Sequence, residues 1–172
     1  MTIEPCALPD AALLGRYAEA GAYTDCYATD VSGAVSLAQY VTAFYTTPLF
    51  KLERVILKLA LQKPSTDAQA GQLAGGSINA FAAWRVEDRC ENQLLMCDVF
   101  GSTRSWLMVA PVLTEGGVAT RLYFGSAVVP KRNAKTGRRS LGLDFRLLLG
   151  FHKLYSVALL RSAESRLKTK LS

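Results

Sequence analysis

The chain has few of the residues that build metal sites and phosphate sites. It contains one histidine, His152, and its four cysteines include no C-x-x-C pair. A metal site needs several such ligands at short spacing, and no carboxylate cluster replaces them. Gly137, Gly142 and Gly150 neither follow a strand nor have the G-x-G-x-x-G spacing of a phosphate-binding loop. The sequence therefore excludes a multi-histidine metal centre, and we expect no metal and no cofactor.

The cysteines also lack the arrangement of a disulfide scaffold. Half of the 172 residues are apolar, which suits a single domain over residues 1–172 that buries about two thirds of its unfolded surface. Cys90 and Cys97 flank one turn at unequal distances, so we do not expect them to face each other. We predict four free, mostly buried thiols in a reducing compartment. Residues 1–10 lack the basic start and apolar core of a signal peptide, so we expect a cytoplasmic protein.

Acidic residues become scarce toward the end of the chain. From residue 130 onward the chain has eleven lysines and arginines but only two acids, Asp144 and Glu164, whereas the preceding residues carry a small excess of acids. The cations concentrate over 131–139 and 161–170. They suit a weak contact with an anionic membrane surface or an acidic partner. A solvated loop and cations at a helix C-terminus account for the same pattern.

Two absences narrow the choice of partners further. No aromatic residue lies between Lys131 and Arg139, so stacking on unpaired bases is not available there and nucleic acid is not expected. Charged residues interrupt every long apolar run in the last third of the chain, so a transmembrane span of about twenty residues is not expected.

The first half of the chain predicts one strand and three helices. Residues 22–29 alternate aromatic and small side chains, which is typical of a strand with one aromatic face. Ser36 and Gln39 form a capping box that opens a helix, and Thr47 before Pro48 restarts it as a second helix. That helix has an apolar stripe, which we expect to face the core: Leu49, Leu52, Val55, Ile56 and Leu59. A short helix is predicted between Thr66 and Ala74.

Four β-type runs joined by three tight turns follow between residues 80 and 129. A turn centred on Cys90 and Glu91 predicts Trp84 opposite Cys97 and Val86 opposite Leu95. A turn at Gly101 predicts Asp98 opposite Arg104 and Met96 opposite Trp106, and the third turn predicts Leu107 opposite Phe124 and Met108 opposite Tyr123.

These pairings give the predicted sheet two different faces. One face is free of charge and is interrupted only by the hydroxyls of Thr103, Ser105 and Ser126; we expect it to hold Trp84, Val86, Leu95, Cys97, Val99, Leu107, Val109, Leu122, Phe124 and Val128. The opposite face mixes charged residues with Met96, Trp106, Met108 and Tyr123, a composition that suits partial exposure.

One long helix is predicted from Ser140 to the end of the chain. It is apolar around most of its girth up to Ser162, so it must be covered on more than one side. The uncharged sheet face is expected to cover one side, and the helices around Pro48 or a second copy of the chain the other. Beyond Ser162 the polar face widens, and we expect the tail to project. The fold class is therefore α+β, with a curved antiparallel sheet packed on a long C-terminal helix and two shorter helices after the first strand.

This order of elements resembles the helix-grip superfamily of START-like and pollen-allergen-like lipid-binding proteins (SRPBCC). The segments YTDCYATDV, FYTTPLFKLERVILKL, TRLYFGSAVVP and GFHKLYSVALLRSA are in addition similar to a bacterial family of unknown function, over nearly the whole chain. The helix-grip resemblance implies a hollow between sheet and C-terminal helix for a lipid, polyketide or aromatic metabolite. The chain departs from it in strand number, since we count one plus four strands where that superfamily has one plus six.

Three functions from different classes are compatible with these observations. The first is a binder of an apolar small molecule, with Trp84, Leu107, Phe124, Ser126 and Tyr155 as ligand-binding residues. The second is a cofactor-free cyclase or hydrolase in which His152 or Asp25 is the catalytic residue. A lone histidine on a helix and an aspartate in a strand are more often hydrogen-bonded structural residues. The third is a membrane-surface or partner-binding module that uses the basic segment 131–139.

Overall fold

An antiparallel sheet of seven strands forms the frame of the fold. It is described here by a computed structural model, which covers residues 3–114, 117–129, 131–132, 139–140 and 145–171, without the side chains of 60, 131–132, 139–140, 145–153 and 170–171. The strands are β1 (Glu4–Pro5), β2 (Tyr23–Ser32), β3 (Ala80–Phe81), β4 (Trp84–Cys90), β5 (Gln93–Asp98), β6 (Thr103–Thr114) and β7 (Gly117–Val128). Two further short strands, β8 (Lys131–Arg132) and β9 (Arg139–Ser140), pair with each other at the ends of the basic segment.

Five helices complete the described part of the chain, which is an α+β fold. They are α1 (Gly15–Glu19), α2 (Leu37–Tyr45), α3 (Pro48–Leu61), α4 (Asp67–Ala74) and α5 (Phe145–Leu171). The capping boxes Ser36–Gln39 and Thr66–Gln69 open α2 and α4, and Thr47 caps α3 with Pro48 as its first residue. These three predicted helix starts are confirmed. None of the described helices has a stretch long and apolar enough to cross a membrane.

The sheet order is β1-β2-β7-β6-β5-β4-β3, so the first long strand lies beside the last. Tyr27 of β2 is opposite Phe124 of β7, and α5 contacts both of these strands as well as α2 and α3. The strand that was predicted to begin at residue 80 is split into β3 and β4. The break is at Ala82, whose φ of 51° lies outside the range of a β-strand. The helices and the sheet together enclose a core of aromatic and aliphatic side chains.

The predicted register is confirmed for one hairpin and wrong for two. Leu107 is opposite Phe124, as expected. In the first hairpin Trp84 is opposite Asp98, and a bulge after Val86 shifts the pairs that follow. In the second hairpin Arg104 is opposite Cys97, because the Asp98 carboxylate accepts the backbone N–H groups of Ser102 and Thr103 and so belongs to the turn. The predicted Asp98–Arg104 and Met96–Trp106 pairs are therefore absent.

A register shift of one residue moves side chains to the other face of a strand. Leu94 and Met96 consequently lie in the helix-facing core, whereas Leu95 and Cys97 point to the other side. That other side is not the partly exposed face that we expected. Trp106 and Leu95 are fully buried there, together with Leu14 from the segment that precedes β2. Both faces of the sheet thus carry a hydrophobic cluster.

Two helix surfaces also differ from the sequence prediction. The stripe of α3 is exposed: Leu52, Val55, Ile56 and Leu59 are 53% to 78% accessible. The C-terminal part of α5 does not project, because Ala163 and Leu167 are buried in the helix-facing core. Leu154, the first residue of α5 whose side chain is described, is exposed. Helix α3 therefore leaves uncovered apolar surface beside α5.

Candidate functional site

A cavity of about 680 Å³ lies between α3, α5 and the helix-facing side of the sheet. This volume is in the range of small-molecule sites. Its walls are mainly aliphatic and aromatic, and Phe44, Phe50 and Phe124 form one aromatic wall with ring centroids 5.0 and 6.1 Å from Phe44. The polar residues that contribute to the lining are Glu53, Asp98, Thr103, Arg104, Ser105, Ser126, Tyr155 and Ser156.

The structure brings four of the five predicted ligand-binding residues to this cavity. Trp84, Phe124, Ser126 and Tyr155 line it. Leu107 does not, because it is fully buried in the core beneath the helices. The four lining residues come from β4, β7 and α5, so the cavity depends on tertiary packing and on no single segment.

Sequence reasoning missed Glu53, which is the central polar residue of the site. The Tyr155 hydroxyl donates a hydrogen bond to a Glu53 carboxylate oxygen. Trp84 of the sheet lies beside the same carboxylate. Leu49 and Leu57, which lie one helical turn before and after Glu53, line the same cavity. That spacing was the available signal: an acid in line with apolar residues on one helix face.

Burial sets the acidity of this group. Removal from water raises the pKa of Glu53, and the Tyr155 hydrogen bond and the nearby Trp84 side chain offset part of that rise. Burial and the neighbouring Glu53 charge also raise the pKa of Tyr155, which keeps its hydroxyl a hydrogen-bond donor. The site therefore presents a carboxyl group of weakened acidity inside an apolar cavity.

A second polar group of the cavity is a buried hydroxyl. Ser156 of α5 is fully buried and lines the cavity. Its Oγ has no hydrogen-bond partner in the described part of the chain. Most buried hydroxyls in proteins are paired, so this group is an exception that a bound molecule can satisfy.

The two catalytic candidates from the sequence are Asp25 and His152, and the structure describes the side chain of Asp25 only. Asp25 of β2 accepts hydrogen bonds from the Ser126 backbone N–H at 3.1 Å and from its hydroxyl at 2.5 Å. The expected bond to a neighbouring backbone group is therefore present, and Asp25 orients a hydroxyl of the cavity wall. His152 belongs to α5, and its side chain lies outside the described residues. In the described ranges no group of three or more histidine, cysteine or acidic residues could hold a metal ion.

The mouth of the cavity is apolar and open to solvent. Leu52 and Ile56 of α3, Val99 and Phe100 of the β5–β6 turn and Leu154 of α5 all line the cavity. Each of them is also exposed, between 46% and 75%. We call these five residues the apolar rim. Exposed apolar side chains that form one patch around an opening commonly mark an interaction surface.

The cysteines are free but not all buried. Cys26 and Cys97 are buried, Cys6 is half-buried and Cys90 is exposed. Cys6, directly after β1, and Cys26 of β2 lie side by side with their Sγ atoms 3.3 Å apart, a contact that the sequence spacing did not indicate.

A comparison of the chain with protein-family models and with curated proteins found no match in either set.

Proposed function

We propose that the protein binds an apolar small molecule, such as a lipid, polyketide or aromatic metabolite, between α3, α5 and the sheet. The observation that carries this proposal is the cavity of about 680 Å³ with mainly apolar walls and one hydrogen-bonded carboxyl group. An apolar pocket with a few convergent polar groups is the usual form of a small-molecule site. We further propose a helix-grip variant that acts in the cytoplasm.

The topology supports the helix-grip proposal. The first long strand pairs with the last, two helices follow that strand, and α5 runs against β2 and β7. The described sheet has seven strands, more than the five that we counted in the sequence. A larger sheet gives a larger surface over which a hollow can form.

Binding of a neutral fluorescent probe, N-phenyl-1-naphthylamine, tests the proposal. We expect one saturable site in the wild type. Ala83 is buried in the cavity wall, so Ala83→Phe should fill the site and weaken probe binding by about tenfold or more. Leu113→Phe, at an exposed strand end, is the matched control and should bind as the wild type does.

Two results would overturn the proposal: no saturable binding to the wild type, or equal binding by both variants. Overpacking costs about 1–3 kcal/mol, so Ala83→Phe must be shown to fold by circular dichroism. Ala158→Phe, at an exposed position of the cavity lining, provides a second block if Ala83→Phe does not fold.

A second candidate function is acid–base catalysis on the bound molecule. The raised pKa of Glu53 favours this candidate, because a carboxyl group that keeps its proton nearer neutral pH can act as a general acid. Glu53 then replaces Asp25 and His152 as the proposed catalytic residue. An activity that Glu53→Gln abolishes, with probe binding unchanged, would support catalysis. An activity that survives in Glu53→Gln would exclude Glu53.

A third candidate is attachment to an anionic membrane surface, for which the apolar rim is the specific observation. Apolar side chains at the opening would enter the lipid interface. The exposed Lys58 and the cations in the sequence of 131–139, whose side chains lie outside the described residues, would contact anionic headgroups. A poorly soluble ligand would then pass directly between the membrane and the cavity through the apolar rim.

Vesicle sedimentation tests the membrane candidate. We expect the wild type to bind anionic vesicles at low salt, and either of two variants to lose this binding. One carries Leu52→Ser and Phe100→Ser in the rim, and the other replaces the five cations of 131–139 by serine. Unchanged sedimentation of both variants would remove the candidate. A dimer that dissociates in the rim variant, measured by analytical ultracentrifugation, would show that a second copy covers the rim instead.

A further inference from the structure

The charged residues that line the cavity differ in which side of the sheet or which turn their partners belong to. Among the described lining residues, the carboxylate of Asp98 is engaged in its turn by Ser102 and Thr103. The Arg104 guanidinium bonds to Tyr17 and Glu87 on the opposite face of the sheet. Glu53 is the ionisable group whose hydrogen-bond partner, Tyr155, itself lines the cavity, as does the neighbouring Trp84.

When it is ionised, Glu53 disfavours an anionic ligand. A second carboxylate beside it would bring like charges together in an apolar site, where repulsion is strong. The one described cation of the lining, Arg104, is neutralised by Glu87 at 2.7 Å. A fatty acid therefore meets a negative group without a described cation turned toward it.

Glu53 and Ser156 together offer complementary hydrogen-bonding capacity. A carboxylate has about four acceptor positions, and Tyr155 uses one of them. Ser156 Oγ is a buried hydroxyl without a partner in the described residues, and it follows Tyr155 directly along α5. Among the described residues, Glu53 thus retains acceptor positions and Ser156 Oγ still needs a partner.

We propose that the ligand carries a hydroxyl group as its polar head, in an otherwise apolar alcohol or phenol, and that carboxylic acids are rejected. The ligand O–H donates to the Glu53 carboxylate, and a ligand oxygen accepts from the Ser156 hydroxyl. This inference rests on the proposed function, since it names the ligand class of the same cavity.

Displacement of N-phenyl-1-naphthylamine by two ligands of equal chain length tests the inference. Dodecan-1-ol and dodecanoate differ only in the head group, and at about pH 8 the dodecanoate is fully ionised. We expect dodecan-1-ol to displace the probe from the wild type at a concentration at least about tenfold lower, because an unpaired charge is costly in an apolar site.

Two variants assign the preference to its residues. Glu53→Gln should strengthen dodecanoate displacement by about tenfold and so reduce the discrimination. Ser156→Ala should weaken dodecan-1-ol by about fivefold and leave the probe itself unaffected, as loss of one neutral hydrogen bond predicts. Ser165→Ala, at an exposed position of the same helix outside the cavity lining, is the matched control and should change the displacement by neither ligand.

The outcomes separate this inference from the proposed function. If the probe binds but dodecanoate displaces it as well as dodecan-1-ol does, the inference is wrong and the binding function stands. The same holds if Glu53→Gln leaves the ratio unchanged, or if Ser156→Ala affects dodecan-1-ol no more than Ser165→Ala does. If the wild type binds no probe, the proposed function itself fails.

Discussion

Tyr155 of the C-terminal helix donates a hydrogen bond to Glu53 of α3, which lies 102 residues earlier in the chain. This contact ties the two helices that border the cavity, and Trp84 of the sheet lies beside the same carboxylate. The polar centre of the site therefore also holds α3 and α5 together. Substitutions at this point are expected to affect binding and stability together, so each must be measured with both readouts.

The first prediction concerns the pH dependence contributed by Glu53. The folded pKa of Glu53 lies above its ordinary value of 4.5, so the folded chain holds this proton more tightly than the unfolded chain. The free energy of unfolding should therefore fall as the pH rises from about 4.5 through the folded pKa. Glu53→Gln removes this loss, and its stability relative to the wild type should increase between about pH 4 and pH 8. Urea denaturation at several pH values measures it; a constant difference would contradict the prediction.

The second prediction concerns the ion pair between β2 and β7. Arg121 donates from Nε and Nη2 to the two oxygens of Asp30, at 2.7 and 2.9 Å, and lowers the pKa of Asp30. Both side chains are partly exposed, so Asp30→Asn should cost at most about 1 kcal/mol at pH 7. The stabilisation exists above the unfolded pKa of about 3.8 and is lost as the pH falls through the lower folded pKa. Wild type and variant should thus converge in acid, and a difference that persists there would rule out the ion pair as its cause.

The third prediction concerns the glycine at the centre of β7. A Cβ at Gly125 would lie 2.9 Å from the Asp25 carbonyl oxygen, 2.9 Å from the Trp106 ring and 3.0 Å from Leu14. Since a backbone oxygen cannot move aside without displacing β2, Gly125→Ala should destabilise the fold by about 1–3 kcal/mol. Gly71→Ala is the control, because that helix position has open space and alanine favours helices by up to about 1 kcal/mol. Thermal melts should move in opposite directions; a stabilised Gly125→Ala would show that the strands are not this close.

The fourth prediction concerns the attachment of the N-terminal segment. Gln93 Oε1 accepts from Trp106 Nε1 and from the Leu13 backbone N–H, each at 2.9 Å, and Gln93 Nε2 donates to the Ala11 carbonyl. Gln93→Leu leaves the buried indole N–H without a partner, so we expect a loss of about 1–3 kcal/mol.

A double variant controls this test. Adding Trp106→Phe to Gln93→Leu removes the orphaned donor, so the double variant should lose less stability than the two single losses combined. Faster proteolysis before residue 22 should accompany Gln93→Leu. Strict additivity would show that the two side chains are not coupled.

Local signals in the sequence predicted the elements where the determining contacts are also local. A capping box acts within four residues, so Ser36 and Gln39 were sufficient to locate the start of α2. The register of the hairpin between β6 and β7 was also predicted correctly, because its turn joins two long strands with alternating side chains. The predicted sheet residues Trp84 and Phe124 face the helices for the same reason, since alternation along a strand assigns its faces.

Contacts between distant segments decided the rest. A bulge after Val86 changes the pairing of the first hairpin, and the use of the Asp98 carboxylate in its turn shifts the pairing of the second by one residue. Neither feature changes the apolar pattern of the sequence. The apolar stripe of α3 predicts a buried face, yet burial depends on which neighbours reach it, and the sheet and α5 leave most of that stripe around an opening. For the same reason Glu53 could not be identified as the polar centre. Its environment is supplied by Tyr155 and Trp84, which only the folded chain brings beside it.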